Sequence, residues 1–152
     1  RRAAPFGLEI LYHNRNRRTD VAYTYVDSVL ELARAVDILM VIVPGAEDTR
    51  NLVDAEILRA LGPEGVLLNC SRGTVVDEKA LIAALRNKVI ATAGLDAFLH
   101  EPHVPSDLIA MEHVVLYPHI GSGTHHTREV MSMAVLDNLV AWNAGQALPS
   151  PV

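Results

Sequence analysis

The sequence predicts an α/β fold: a doubly wound, mainly parallel sheet with helices connecting its strands. Three observations carry that expectation. Short apolar runs that read as strands alternate with helical patterns along the chain, which is the arrangement that parallel pairing requires. The run from Ile38 to Val43 is continuously aliphatic, the mark of a strand covered on both faces. Polar residues suited to ligand chemistry then follow strand ends: Arg72 after Val66 to Asn69, Glu101 after Ile90 to Leu95, and His119 after Val114 to Tyr117. In open α/β sheets, ligands sit outside the carboxyl ends of the strands.

Taken in order, Arg1 to Gly7 reads as the end of a helix closed by glycine, and Leu8 to Tyr12 as a strand. Tyr25-Val26 is a short strand. Asp27-Ser28 caps a helix from Val29 to Val36, with Ser28 and Glu31 at capping-box spacing and Leu30, Leu32, Ala33 and Val36 on its buried side. Asp54 opens a helix through Leu61 that Gly62-Pro63 stops. Asp77 caps a helix to about Asn87 with Leu81, Ile82 and Leu85 as its apolar stripe, and Asn87 supplies a left-handed C-terminal turn. Ala97 to Pro105 is a loop whose freedom Pro102 and Pro105 limit. The last helix, about Thr124 to Asn143, places Met131, Val135, Leu139 and Trp142 on one face as core packing and ends before Gly145.

Composition narrows the function classes. The chain has 152 residues, 50% hydrophobic and 20% charged, which suits one soluble globular domain with a real core. A formal net charge of -5 without a basic stripe argues against nucleic acid as a partner. No apolar run approaches the roughly 18 residues of a membrane span, and Arg1-Arg2 lacks the apolar region of a signal peptide. The single cysteine, Cys70, excludes an internal disulfide and fits a reducing, cytoplasmic compartment; it reads as a small buried loop residue. His119, His125 and His126 crowd one segment and His100 and His103 another, yet neither group has metal-site spacing, so no metal is expected.

An arginine, a carboxylate and an imidazole at one sheet edge suit acid/base chemistry on an anionic substrate, because a guanidinium grips a carboxylate with two prongs and a nearby carboxylate favours a protonated imidazole. Each residue alone has a plainer reading: an isolated arginine more often ties down a loop, and spacing does not show that the three meet.

The run Asn69-Cys70-Ser71-Arg72-Gly73 with Val76-Asp77-Glu78 and Ala80-Leu81, then Gly94-Leu95-Asp96 with Glu101-Pro102, then Pro118-His119-Ile120-Gly121-Ser122, resembles the D-isomer-specific 2-hydroxyacid dehydrogenases. The likeness covers nearly the whole chain. The tail, Leu136-Asp137-Asn138-Leu139 through Ala147-Leu148-Pro149, is similar to the glyoxylate, hydroxypyruvate and hydroxyphenylpyruvate reductase branch.

The resemblance implies a Rossmann-type sheet, with residues 1–123 as the nucleotide-binding domain and 124–152 as a C-terminal helix and tail returning toward a substrate domain. No G-x-G-x-x-G is present, so the chain reads as lacking the first strand and its glycine-rich loop, with two inner sheet edges left unpaired or forced together. It also implies the site. Arg72 would hold the substrate carboxylate, His119 would protonate the carbonyl oxygen and Glu101 would keep His119 protonated and oriented. Val43, Pro44 and Thr49 would face the adenosine part of the cofactor, Cys70 and Ser71 would adjoin it, Asp96 would orient the nicotinamide carboxamide, and Gly121 and Ser122 would complete its surroundings. The end of the first strand carries Asn14 and Arg15 where NAD enzymes place an acid, and Arg15 and Arg17 suit a 2′-phosphate, so NADP(H) is expected over NAD(H). A solvated basic loop is the other reading. The substrate is expected to be a small 2-oxo or 2-hydroxy acid and the intact enzyme a homodimer. Two further readings stand beside this one: a nucleotide-sensing corepressor with the same three residues, and an inactive fragment.

Overall fold

The computed structural model describes residues 3–151. The chain forms two compact units, one ending at Pro118 and the other beginning at His119.

The first unit contains two sheets, both parallel. β1 (Leu11–Tyr12) pairs with β2 (Thr24–Tyr25), and the Val26 N–H donates to the Tyr12 carbonyl at 2.8 Å to extend the pairing. β3 (Ile38–Val41), β4 (Val66–Asn69), β5 (Thr92–Leu95) and β6 (Val114–Leu116) form a four-stranded sheet in that order. β1 and β3 lie in separate sheets. The predicted α/β class with parallel pairing holds in both sheets.

Local chemistry explains where the helices begin. Ser28 accepts from the Glu31 N–H at 3.1 Å ahead of α1 (Val29–Ala35). Asp54 accepts from the N–H groups of Glu56 and Ile57, at 2.8 and 3.0 Å, ahead of α2 (Ala55–Leu61). Asp77 accepts from the Ala80 N–H at 3.0 Å ahead of α3 (Glu78–Arg86). Each such cap contributes about 1 kcal/mol by satisfying an orphan helix donor. These three helices pack one way: Ala33, Ile57, Leu58, Leu81 and Leu85 form a single core with Leu39, Val41, Leu67, Ala93 and Leu95 of the strands.

That one-sided packing corrects the reading of Ile38 to Val43 as covered on both faces. Leu39 and Val41 are buried, whereas Ile38, Met40 and Ile42 are 44%, 55% and 69% exposed. Alternate residues of a strand point to opposite faces, and the core helices meet only the odd-numbered positions here.

Other expectations shift at element ends. The first strand begins at Leu11 rather than Leu8, and the fifth at Thr92 rather than Ile90, because the ladder, not apolarity, sets a strand's ends. Ile90 is 1% exposed all the same, held as Ala91 donates to the Gly65 carbonyl at 2.9 Å. The expected helix end near the start is a 3-10 turn, Ala4–Phe6, followed by Gly7 at φ +74; Arg1 and Arg2 lie outside the described residues. Past α3 it is Lys88, at φ +53, that takes the left-handed conformation expected of Asn87. Val89 donates back to Ala84 at 2.8 Å and Lys88 to Leu85 at 3.3 Å, a Schellman closure whose left-handed position falls one residue beyond the cap. A further short helix, α4 (Ser106–Ile109), follows Pro105; the sequence reading did not anticipate it.

The second unit consists of a turn and α5 (His125–Asn143), which Thr124 caps by accepting from Thr127 N–H at 3.1 Å. The Met/Trp stripe expected to be core packing is exposed: Met131 49%, Val135 62%, Leu139 58%, Trp142 73%. Its helical spacing is as expected, but among the described residues of α5 only Ala141 is buried. Among the described residues, no helix is long and apolar enough to cross a membrane.

Candidate active site

The loop after β4 is built by a buried amide. Asn69, 1% exposed, accepts through Oδ1 from the Ser71 N–H at 3.1 Å and from the Ser71 hydroxyl at 2.8 Å, and donates through Nδ2 to the Arg72 carbonyl at 3.1 Å. An asparagine bonding the backbone ahead of it makes a turn without a regular element. Arg72 is thereby carried on an anchored backbone. Its side chain is exposed, and Nη1 donates to the Ser71 carbonyl at 2.9 Å. The rest of the loop is tied to the segment before α2, where Asn51 donates to Thr74 at 2.9 Å, Val53 to Val75 at 3.0 Å and Asp77 to Val53 at 2.9 Å.

Two glycines hold neighbouring loops against this one. A Cβ on Gly73 would stand 2.0 Å from the carbonyl carbon of Phe98 and 2.4 Å from the Leu99 nitrogen, so only hydrogen fits where the Arg72 loop meets the loop bearing Glu101. A Cβ on Gly45 would stand 2.6 Å from Arg72 Cγ, so the turn after β3 lies directly on the arginine's aliphatic stem. Glu101 is held in turn, accepting from the Phe98 N–H through Oε1 at 3.0 Å. The structure therefore brings Arg72 and Glu101 onto adjoining loops past the carboxyl ends of β4 and β5.

A cavity of about 530 Å³ opens beside β3. Asn14, Arg15, Val43, Pro44 and Thr49, all expected to serve the cofactor, line it together with aliphatic side chains of α1 and β3. Thr49 shapes the rim by donating to the Pro44 carbonyl at 2.7 Å. The arginines of the basic loop divide. Arg15 reaches the cavity and pairs with Asp48. Arg17 is not among the lining residues; its guanidinium lies 5.6 Å from the centroid of the Tyr25 ring. Arg18 is committed to Asp20, donating from Nε at 2.9 Å and again from Nη2, and this hydrogen bonding holds the Asp20 carboxyl down at about 2.

Cys70 and Asp96 lie elsewhere, on a groove of about 280 Å³ along the open face of β4, β5 and β6. Cys70 is exposed, against the expectation of burial: Asn69 takes the core-facing position, and the next residue falls on the other face. Ser71 is 6% exposed and spends its N–H and hydroxyl on Asn69.

His119 opens the second unit at φ +54, a left-handed conformation uncommon for a residue with a Cβ, although histidine is among the side chains enriched there. Gly121 and Ser122 follow in the turn that Gly123 closes by donating to Ile120 at 2.8 Å. Sequence reasoning gave no role to Asn69, Gly45 or Asp48. Only Asn69 had a local signal, a strand-terminal asparagine two residues before a serine.

A parallel sheet with an arginine and a carboxylate past its carboxyl edge, and a mixed apolar and cationic cavity beside β3, places the chain in the class of nucleotide-binding α/β domains. It belongs to the D-isomer specific 2-hydroxyacid dehydrogenase family, whose NAD binding domain matches residues 1–121. Over 152 residues it is 47% identical to glyoxylate/hydroxypyruvate reductase A of Arabidopsis thaliana, covering 100% of this chain and 49% of that protein. It is 46% identical over 151 residues to hydroxyphenylpyruvate reductase of Plectranthus scutellarioides, covering 99% of this chain and 48% of that one. The crystal structure of an NADPH-dependent glyoxylate/hydroxypyruvate reductase from Sinorhizobium meliloti, in complex with NADP and malonate, superposes with a TM-score of 0.97 at 47% identity, covering 99% of this chain and 47% of that one. The chain thus spans about half the length of the curated relatives it matches.

Proposed function

We propose that the intact protein is an NADPH-dependent reductase of small 2-oxo acids such as glyoxylate and hydroxypyruvate, yielding the 2-hydroxy acids, of D configuration where C2 is a stereocentre. The observation that carries this reading is the packing of Gly73 on Phe98 and Leu99, which sets the loops of Arg72 and Glu101 side by side. Family membership and the reductase relatives support the substrate class.

The cavity suits the adenosine end of a dinucleotide: its walls are largely aliphatic, and Arg15 supplies a cation where NAD enzymes place an acid. The NADP complex of the Sinorhizobium meliloti enzyme supports the same preference. Arg15 and Asn14 would hold the ribose end, Val43, Pro44 and Thr49 the adenosine, and Asp96, with Cys70, Ser71, Gly121 and Ser122, the nicotinamide side. Arg17 is the weaker phosphate contact, since it is not part of the cavity wall. When bound, the nicotinamide supplies the hydride. Arg72 grips the substrate carboxylate, His119 gives a proton to the carbonyl oxygen, and Glu101 is the acidic partner of that proton transfer. Residues 1–123 serve nucleotide binding, and 124–152 return toward a substrate domain. A homodimer and a cytoplasmic setting complete the proposal, the latter supported by the single cysteine.

Steady-state assay of the intact protein with glyoxylate and hydroxypyruvate, against NADPH and NADH, tests it. Turnover with either acid and a higher kcat/KM with NADPH is the expected result; no oxidation of either cofactor would overturn it.

A further inference from the structure

The ion pair between Arg15 and Asp48 joins two walls of the cavity, the loop after β1 and the 3-10 turn Glu47–Thr49 after β3. Both side chains are largely exposed, and both line the cavity. The turn does not need the Asp48 carboxylate. Thr49 closes it, accepting from the Ala46 N–H at 2.9 Å and donating to Pro44, while Glu47 takes the neighbouring cation, Arg50, at 3.4 Å. Among the described residues, Asp48 is thus an acid placed against the cavity-lining arginine of the basic loop, while Thr49 rather than its carboxylate closes the turn.

We infer that Asp48 tunes cofactor choice by competing with the 2′-phosphate of NADP(H) for Arg15; the inference rests on the assignment of Arg15 to that phosphate. The pair engages the guanidinium at the cavity wall. A phosphate reaching Arg15 must displace or share with a carboxylate of the same sign, and like charges a few ångströms apart repel even when partly hydrated. NADH brings no 2′-phosphate and meets no such penalty. Asp48 therefore narrows the preference for NADPH that Arg15 creates.

The test is fluorescence titration of NADPH and NADH with the intact protein at low ionic strength, in the wild type and in Asp48→Asn, Asp48→Glu, Arg15→Gln and the Arg15→Gln/Asp48→Asn double variant. Asp48→Asn removes the charge at nearly constant shape, and it should raise the ratio of NADPH to NADH affinity about tenfold, an effect that shrinks at high salt. Asp48→Glu should hold the ratio within about threefold of wild type, and Asp48→Asn should change it little once Arg15 is gone. If Arg15→Gln lowers the ratio while Asp48→Asn leaves it unchanged or lowers it, the inference fails and the cofactor assignment stands. If Arg15→Gln leaves the ratio unchanged, both fall.

Discussion

Asn69 Nδ2 donates to the carbonyl oxygen of Arg72 at 3.1 Å, so the residue proposed to grip the substrate is set by a side chain buried beneath it. Asn69→Ala leaves the Arg72 carbonyl and both the N–H and the hydroxyl of Ser71 without this partner. Each orphaned group costs about 1–3 kcal/mol, so the variant should lose about 3 kcal/mol or more in urea titration and also lose turnover. Asn69→Asp keeps the acceptor but cannot donate to the carbonyl, and should fall between. Wild-type stability in Asn69→Ala would contradict this account of the loop.

Gly73 faces backbone rather than side chain, which leaves little room for adjustment. With a Cβ 2.0 Å from the Phe98 carbonyl carbon, Gly73→Ala must push two loops apart. Its destabilisation should exceed about 3 kcal/mol, at the severe end for a single substitution. Thermal denaturation reads it directly, and an unchanged Tm would show that the loops are not packed this way.

Gly45 meets side chains rather than backbone, chiefly the stem of Arg72 with Thr74 Oγ1 at 3.5 Å, so its effect should divide differently. Gly45→Ala is expected to shift the guanidinium and lower kcat/KM about tenfold or more, a consequence of misplacing a gripping group by an ångström or less, while costing little more than about 1 kcal/mol of stability. Equal loss of both would mean that the contact is structural alone.

Asp20 offers a check on the basic loop. Its carboxyl is held at about 2 by hydrogen bonding from Arg18, below the ordinary aspartate value. Because the folded-state value is depressed, whatever stability the pair lends is present above the unfolded-state value and is lost as pH falls toward 2. An NMR titration should find the Asp20 midpoint near 2 and move it up toward the usual range in Arg18→Gln. A normal midpoint in the wild type would free Arg18 from this pair.

What could be read in the sequence was mostly local. Ser28, Asp54 and Asp77 announced their helices because a capping side chain acts within three residues. Val66 to Asn69 was legible because its length and ends coincide with the ladder. The overlong readings of Leu8 to Tyr12 and Ile90 to Leu95 share one cause: apolar residues continue past the last ladder bond, as Ile90 does in the core. α4 is four residues long, too short to show a helical period. For the proposed site, the motifs nominate Arg72, Glu101 and His119. The close approaches of Gly45 and Gly73, and the pairing of Arg15 with Asp48, are tertiary and leave no pattern along the chain.

Glu101→Gln and His119→Ala extend the account to the proton step. Each should lower kcat in the intact enzyme by about a hundredfold, the usual range for losing a positioned acid or its partner, with Tm nearly unchanged. Wild-type turnover in both would remove them from the chemistry.

The most direct test concerns Arg72 itself. In the intact protein with NADPH and hydroxypyruvate, Arg72→Ala should lower kcat/KM about a thousandfold, equivalent to roughly 4 kcal/mol of transition-state binding, while NADPH affinity and Tm stay close to wild type. Unaltered kcat/KM in Arg72→Ala would contradict the claim that this guanidinium holds the substrate.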